Sequence, residues 1–460
     1  MPREMPHDAL DLDAIRACLE GAIPGVMATC AADGTPNVTY VSQVEYVDAR
    51  HLALSFQFFN KTRRNVLANP VVELIVVHPL HGAMYRIAAR YLRTETEGAL
   101  FERMKAKLAG IASHTGMSGV FRLRGADLYE ADRVERVAAP RHAVAAGGIN
   151  RLSALRRCAQ RVAAATDLDA LVERTLDAVA DEFGIRHAML LMLDADGERL
   201  YTVASRGYGR SGAGAEIALG DGVVGVAARM ATPIRINHAT LEYAYGRTMR
   251  NGVAAAALER EIPLPGLAEP GSQLAVPLCC AGQLLGVLFV ESPQEMRFGW
   301  DDEDALVALA AQLAAQMAAL TRGEAAADAT DAPESGLAVA APSACDEASV
   351  TAAPLRVRHY DADGSVFFDD DYVIKGVAGA VLWKMLGDHA RDGRTEFTNR
   401  ELRLAPEIPL PEVGDNLEAR LVLLTRRLAD RQAPVRLEKA GRGRLRLCVA
   451  RPLALHNVPR

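Results

Sequence analysis

The densest group of residues able to bind an anion lies between residues 58 and 70. The run reads FFNKTRRNVLANP, so two aromatic residues precede the cations Lys61, Arg63 and Arg64. An Arg side chain forms paired, charge-assisted hydrogen bonds with phosphate oxygens, and a nearby hydroxyl and backbone N–H groups can complete the site. The stretch predicts a phosphate-binding turn that leads into a short helix ending at Pro70.

A second group of cations lies near the carboxyl end. Residues 411–460 contain 11 Lys or Arg and 5 Asp or Glu, a local charge of +6, although the whole chain carries 52 minus 58, or −6. In the predicted helix 416–431, leucines recur at the spacing of one buried face, which leaves the arginines on other faces. Cations on a helix and on a neighbouring hairpin tip fit two adjacent phosphate tracks of a duplex, although a run of charge is also typical of a solvated face. The predicted DNA-binding residues are Arg420, Arg426, Arg427, Arg431, Arg442 and Arg444.

Other motifs of known chemistry are few. His78 and His81 follow an apolar run, and either imidazole is a weak candidate for an axial haem ligand; the alternative is an exposed turn histidine. We find no nucleophile–base pair, G-x-S-x-G, H-E-x-x-H or paired metal ligands, so no catalytic residue and no metal site is predicted. The seven cysteines form no C-x-x-C pair and are expected to be reduced thiols.

Length and composition predict how these residues are positioned. With 460 residues, half of them apolar and 24% charged, the chain is expected to form about three globular domains. Residues 321–354 lack aromatics and apolar periodicity, which predicts a flexible linker. The predicted domains are 1–138, 150–320 and 355–460. No uninterrupted apolar run reaches the length of a membrane span, and the start lacks a secretory apolar region, so we expect a cytoplasmic protein with no membrane partner.

The first block alternates short β-type runs with a D-G turn, the rhythm of a barrel or sandwich. Its run from Phe58 to Pro70 resembles the FMN-binding split barrel of the pyridoxamine 5′-phosphate oxidase family. The resemblance implies that Thr62 and Arg64 hold the flavin phosphate and that the backbone from Thr39 to Ser42 faces the flavin ring. The cofactor-binding prediction comprises Asn60, Lys61, Thr62, Arg63, Arg64, Thr39 and Ser42. FMN, haem and an empty barrel stay open.

The middle block resembles a GAF domain. The strings LGDGVVGVA, SQLAVPLCCAGQLLGVLFVES and the exit helix WDDEDALVALAAQLAAQMAAL carry the resemblance. It implies an α/β sandwich with an antiparallel sheet and a pocket for a small-molecule effector under the loop 237–270; the alternative is an exposed polar loop. The candidate ligand residues are His238, Tyr243, Tyr245 and Arg247. Apolar stripes on the helices at 150–165 and 303–320 predict a homodimer.

The last block resembles the winged-helix effector domain of bacterial response regulators. FTNREL matches the second helix, NLEARLVLLTRRLADR the helix that enters the major groove, and GRGRLRL the wing. The resemblance implies DNA binding, although winged helices that bind protein are an alternative.

Together these features predict an α+β multidomain protein: a split β-barrel, a GAF sandwich and a C-terminal winged helix. The preferred function is a cytoplasmic one-component sensor and transcriptional regulator that responds to a flavin, redox or small-molecule signal. The alternatives are a flavin- or haem-dependent oxidoreductase with regulatory GAF and C-terminal domains, and a non-catalytic scaffold.

Overall fold

The computed structural model describes residues 10–21, 23–56, 61–114, 122–141, 149–194, 196–237, 262–330, 353–410, 417–441 and 443–459. Within these ranges the chain forms a mixed α/β protein with three folded parts. The predicted site residues Asn60, His238, Tyr243, Tyr245, Arg247 and Arg442 lie outside the described residues.

The N-terminal part is a curled antiparallel sheet of seven strands. The strands are β1 (Gly25–Cys30), β2 (Pro36–Val41), β3 (Val44–Tyr46), β4 (His51–Phe56), β5 (Val71–Val77), β6 (Met84–Glu95) and β7 (Gly125–Ala138). Their order is β2-β1-β5-β6-β7-β4-β3, so β2 and β3 are the edges. A 3-10 helix (Asp13–Leu19) and the helices α1 (Lys61–Ala68) and α2 (Ala99–His114) complete the domain.

The short helix α1 and the longer helix α2 follow the predicted patterns. Helix α1 ends just before Pro70, because proline disfavours helical backbone in the residue that precedes it. In α2, Phe101, Met104 and Leu108 are buried, as the spacing of one helical face predicts. These three residues belong to a small apolar cluster of their own, and a larger one lies within the curl of the sheet. Helix α1 contacts β1 and the edge strand β2.

The middle part is a six-stranded antiparallel sheet between helices. The strands are β8 (His187–Leu193), β9 (Arg199–Arg206), β10 (Glu216–Ala218), β11 (Ile234–Ile236), β12 (Ser272–Cys280) and β13 (Gln283–Ser292), in the order β10-β9-β8-β13-β12-β11. The helices are α3 (Arg151–Ala163), α4 (Leu168–Phe183), α5 (Gly222–Met230) and α6 (Trp300–Thr330). Gly225 lets α5 approach the preceding turn, since a Cβ there would lie 2.3 Å from the carbonyl oxygen of Ala218.

Helix α6 differs from the expectation in one respect. It continues to Thr330, so the predicted linker start at residue 321 is wrong; alanines after Arg322 favour helix. By length and composition, residues 300–322 are apolar enough to cross a membrane. The side chains of Leu306, Leu309 and Leu313 are buried in the domain core, which accounts for this composition.

The C-terminal part combines two small sheets with three helices. The strands are β14 (Leu355–Tyr360), β15 (Ser365–Phe368), β16 (Asp371–Ile374), β17 (Glu396–Thr398), β18 (Val435–Gly441), β19 (Arg444–Val449) and β20 (Leu453–Val458). The helices are α7 (Gly376–Asp392), α8 (Asn399–Leu404) and α9 (Leu417–Asp430). One sheet has the order β16-β15-β14-β20, with β20 parallel to β14, and the other β17-β19-β18. Strand β20 has no counterpart in the sequence prediction.

Charged residues join the N-terminal part to the middle part. Arg235 on β11 pairs with Glu303 of α6 at 2.7 Å and with Glu20, which follows the 3-10 helix. Lys107 of α2 pairs with Glu45 of β3 at 2.8 Å beside them. Burial alone would lower the pKa of Arg235, but Glu303 and Glu20 raise it above its usual range. The two parts thus share a desolvated ionic cluster.

Candidate functional site

The predicted phosphate-binding turn becomes the start of α1. Lys61 and Arg64 are exposed there, and the Thr62 hydroxyl accepts a hydrogen bond from Asn37 Nδ2 of β2 at 2.9 Å. Asn65, one turn along the helix, donates to the hydroxyl of Thr29 on β1 at 3.2 Å. These bonds fix α1 against the sheet edge, so Lys61 and Arg64 present two cations beside a hydroxyl.

Arg63 lies on the opposite side of α1 from solvent. Its Nη1 donates to Asp127 Oδ2 at 2.5 Å and its Nη2 to the Thr94 hydroxyl at 2.6 Å, while the guanidinium lies 4.5 Å from the centre of the Phe56 ring. Burial raises the pKa of Asp127, and its bonds to Thr94 and Arg63 oppose that rise. The expectation that Arg63 faces a ligand phosphate is therefore wrong for this conformation, because an internal carboxylate already occupies its fork.

The strand predicted to face a flavin ring is the edge strand β2. Thr39 is half-buried and donates from its hydroxyl to the carbonyl of Tyr40 at 3.3 Å, and Ser42 follows the strand and is exposed. Strand β2 contacts α1 through Asn37, two residues before Thr39, so Thr39 lies on the strand that α1 packs against.

His78 and His81 pack on each other in the turn after β5. Their rings stack with centroids 3.5 Å apart, and their Nδ1 atoms accept from the backbone N–H groups of Leu80 and Ala83 at 3.3 and 3.2 Å. Burial, together with the charge of His81, lowers the pKa of His78 to about 4. The stacked rings and these two hydrogen bonds therefore stabilise the turn.

Acid should unfold the protein more readily because of His78. The unfolded side chain binds a proton near pH 6.5, but the folded one binds it only near pH 4, so unfolding takes up a proton between these values and the free energy of unfolding falls as the pH falls. The full shift corresponds to about 3 kcal/mol, but the ring is only partly buried and solvent screens it, so we expect His78→Gln to reduce the loss of stability between pH 6.5 and 4 by about 1 kcal/mol. Urea unfolding at both pH values measures it, with His456→Gln as an exposed histidine control. Equal losses in wild type and His78→Gln would contradict the prediction.

Within the middle part, a buried carboxylate that the sequence analysis missed lies at the end of β13. Glu291 accepts from the backbone N–H of Leu267 at 2.7 Å and from Gln273 Nε2 at 3.1 Å. Burial raises the pKa of Glu291, and these two bonds lower it by less. Through Leu267, Glu291 attaches the segment that begins at residue 262 to the sheet. A lone Glu after an apolar strand gave no signal of this role.

Two arginines of α9 contact the middle part instead of solvent. Arg426 pairs with Asp169 at 2.7 Å and with Glu173 at 2.8 Å, both on α4. The Arg420 side chain is almost wholly buried, with its guanidinium 4.1 Å from the centre of the Tyr201 ring on β9. The expectation that these side chains form an open cationic surface is wrong for this conformation, because α9 packs against α4 and β9.

The other candidate arginines divide into two groups. Arg427 Nε donates to the Val373 carbonyl at 2.9 Å, and Arg431 Nη2 donates to the Tyr372 carbonyl at 2.8 Å, so both brace α9 against β16. Burial lowers the pKa of Arg427. The expectation of exposure is therefore wrong for Arg427, which is buried, whereas Arg431 is exposed as expected although one of its N–H groups is bound to β16. Arg444, at the start of β19, is exposed as expected.

Comparison with known families identifies two of the three parts. Residues 165–318 match the GAF domain family, and residues 12–132 match the pyridoxamine 5′-phosphate oxidase family. The chain contains a GAF domain and a pyridoxamine 5′-phosphate oxidase-like domain. Residues 353–460 lie outside both matches. No curated protein has a significantly similar sequence.

Solved structures that are similar to parts of the chain include a GAF domain and an FMN-binding protein. The GAF domain of an Acinetobacter phosphoenolpyruvate-protein phosphotransferase is 26% identical, with a TM-score of 0.30, and the match covers 37% of this chain and 93% of that one. Free methionine-R-sulfoxide reductase from Neisseria meningitidis is 20% identical, with a TM-score of 0.31, covering 40% and 97%. An FMN-binding protein from Syntrophomonas wolfei is 17% identical, with a TM-score of 0.23, covering 28% and 92%.

The GAF domain holds the C-terminal part through further polar pairs. Lys439 of β18 pairs with Asp167, the N-cap of α4, at 3.0 Å, and Lys375 pairs with Glu216 of β10, also at 3.0 Å. Apolar packing continues across the same boundary, since one cluster of buried side chains includes both cores. In the sequence, the acidic residues around 167–169 have the pattern of a helix cap. Nothing in the local pattern indicated that they also bind cations from a segment more than 250 residues away.

Proposed function

We propose that this chain is a sensor in which the GAF domain controls the availability of the C-terminal domain. The pairing of a GAF domain with a pyridoxamine 5′-phosphate oxidase-like domain indicates signalling or sensing. The input is a small molecule or redox state detected by these two domains. The output is the binding of duplex DNA by the C-terminal domain after it leaves the GAF domain.

The contact of Arg426 with Asp169 and Glu173 carries this proposal. The two carboxylates offer Arg426 the same bidentate, anionic partner that a DNA phosphate would offer. Their side chains are 46% and 48% exposed, so solvent can replace them at small cost. A helix whose cations are neutralised by another domain is in a closed state, and a phosphate backbone is a chemically matched competitor.

The arrangement of the C-terminal elements supports a winged helix. Helices α7, α8 and α9 are followed by the hairpin β18–β19, and β17 between α7 and α8 adds a third strand to that hairpin. In this arrangement α9 would enter the major groove and the tip at Gly441–Arg444 would reach a neighbouring phosphate track. Arg444 is already exposed for that contact.

Duplex binding by the full chain tests the output. A titration against duplex fragments taken from beside its own gene, at two salt concentrations, should show affinity that falls as salt rises. The same titration with the closed contact weakened separates a masked DNA-binding domain from a protein-binding one. If the weakened form binds no duplex, DNA is not the partner.

FMN is the cofactor that we propose for the N-terminal domain. The donor set at α1 suits a flavin phosphate, since Lys61 and Arg64 supply charge and Thr62 a hydroxyl, although Arg63 is already paired with Asp127. Bound FMN would supply a redox-active ring. The family match supports this assignment, and no observation in the described residues favours haem or an oxidoreductase activity over it.

Removal of Arg64 should weaken flavin binding. A charge-assisted hydrogen bond to phosphate contributes about 1.5 to 3 kcal/mol, so Arg64→Ala should lower the affinity for FMN by at least about tenfold. Quenching of FMN fluorescence during titration with the protein measures it. Arg50→Ala, near the opposite edge of the sheet, is the matched control and should leave affinity unchanged. Equal affinities in all three proteins would contradict the proposed site.

A homodimer in the cytoplasm is the proposed form of the protein. Leu152 of α3 is 77% exposed and Val307 of the adjoining helix α6 is 38% exposed, so the two helices leave apolar side chains uncovered. A second copy packed on these helices would cover them. Light scattering of the purified chain measures the assembly, and cell fractionation measures the location; a monomer or a membrane-bound protein would contradict the respective proposal.

A further inference from the structure

A cavity of about 690 Å³ lies between the GAF domain and the C-terminal domain. The N-terminal end of α4 lines one side, and α9 with the β18–β19 hairpin lines the other. This volume is within the usual range for sites that hold small organic ligands. None of the residues that line it belongs to the proposed flavin site at α1.

Among the described acids that line this cavity, Glu418 is the one without an ion pair; the cation Arg444, which also lines the cavity, has none either. Its side chain lines the cavity at the first turn of α9 and the residue is only 7% exposed. The neighbouring acids are paired, Asp167 with Lys439 at 3.0 Å and Asp169 with Arg426 at 2.7 Å. Within the ranges that the structure describes, Glu418 has no ion pair and no side-chain hydrogen bond. Its carboxylate oxygens reach the open volume of the cavity, so a donor placed there would form a charge-assisted hydrogen bond with them.

The remaining lining selects what can carry that donor. Leu421 and Val422 of α9 and Leu437 and Leu445 of the hairpin form an apolar wall. An apolar body packed there would be removed from water, which contributes about 25 cal/mol for each Å² of apolar surface. The site thus combines one carboxylate that has no ion pair with an apolar surface.

We propose that this cavity binds an organic cation, a primary amine attached to an aromatic or aliphatic body. The ammonium group donates to the Glu418 carboxylate and the body packs on the four apolar side chains. A ligand bound here contacts both domains, so it changes the equilibrium between the docked and released forms. Amine binding in this cavity does not depend on whether the released form binds DNA.

Calorimetric titration of the full chain with phenethylamine tests the proposal. Phenethyl alcohol and hydrocinnamate are neutral and anionic probes of similar shape. We expect saturable binding of the amine and at least about tenfold weaker binding of the other two, because neither can form an ion pair with Glu418. Glu418→Gln should lower the affinity for the amine by a similar factor. Glu438→Gln is the matched control, since Glu438 is exposed on the same strand as Leu437 and does not line the cavity.

Three results would overturn the proposal. One is the absence of saturable amine binding to the wild type. A second is binding of hydrocinnamate as tight as that of the amine, which would show that Glu418 does not select the charge, or tighter binding, which would assign selection to Lys439 and Arg444. The third is unchanged amine affinity in a folded Glu418→Gln variant. If that variant does not fold, the comparison of the three probes on the wild type decides the matter alone.

Discussion

Replacing Asp169 with Asn and Glu173 with Gln should raise the affinity of the full chain for duplex DNA by roughly 5- to 30-fold. Each carboxylate is about half exposed, so each ion pair with Arg426 contributes up to about 1 kcal/mol to docking. Loss of both pairs shifts the docking equilibrium by about 1 to 2 kcal/mol, a factor of about 5 to 30 in the fraction released. Apparent affinity scales with that fraction when only the released form binds.

The substitutions remove the acids and keep Arg426, because Arg426 itself is a candidate for contact with phosphate. Asp177→Asn is the control: Asp177 lies on the same helix and pairs with Arg206, which belongs to the GAF domain. Fluorescence anisotropy with a labelled duplex measures both variants at one salt concentration. A double variant that binds no more tightly than Asp177→Asn would show that this contact does not restrain DNA binding.

Elements with strong local patterns could be predicted from the sequence. The spacing of four leucines predicted both ends of α9 to within one residue. All four are buried: Leu417, Leu421, Leu424 and Leu428. The hairpin around 441–443 followed from its glycines. Strand β20 could not be predicted, because it forms by parallel pairing with β14 almost 100 residues earlier and local periodicity carries no such information.

The N-terminal site illustrates why residue types predicted the location of charge better than its partner. Lys61, Arg63 and Arg64 were equivalent in the sequence. The helix turns Arg63 inward, to a carboxylate contributed by Asp127 on β7, and leaves the other two outside. Asp127 is 64 residues further along the chain. The sequence therefore predicted three cations for the phosphate site, whereas the fold leaves two of them, Lys61 and Arg64, available.

The prediction of an open cationic surface on α9 was wrong for a different reason. Their spacing separated them correctly from the leucine face, but the other faces of the helix are covered by the GAF domain and by β16. A pattern of one helix distinguishes apolar from polar faces and cannot tell a solvent-facing polar face from one docked on another domain. The acids of α4 that complete the contact were visible in the sequence only as capping residues.

Arg235 is the residue whose loss should destabilise the protein most. Its side chain is 6% exposed and lies between the carboxylates of Glu20 and Glu303, which belong to different domains. Burial alone would raise the pKa of Glu303, but Arg235 and Lys107 hold it below its usual value, whereas burial prevails at Glu20 and raises its pKa. The Arg235 guanidinium thus pairs directly with both desolvated acids, and Lys107 adds a second positive charge beside them.

Arg235→Met should lower the free energy of unfolding by about 3 to 5 kcal/mol, since the substitution roughly keeps the volume of the side chain but removes the ion pair that Glu20 and Glu303 share. Arg93→Met is the control, because Arg93 is 61% exposed in its pair with Glu95 and should cost less than about 1 kcal/mol. Urea unfolding followed by circular dichroism compares the two. Adding Glu20→Gln and Glu303→Gln to Arg235→Met should restore part of the loss, because the uncompensated charge is then gone. If Arg235→Met unfolds at the same urea concentration as Arg93→Met, the buried cluster does not join the two domains energetically.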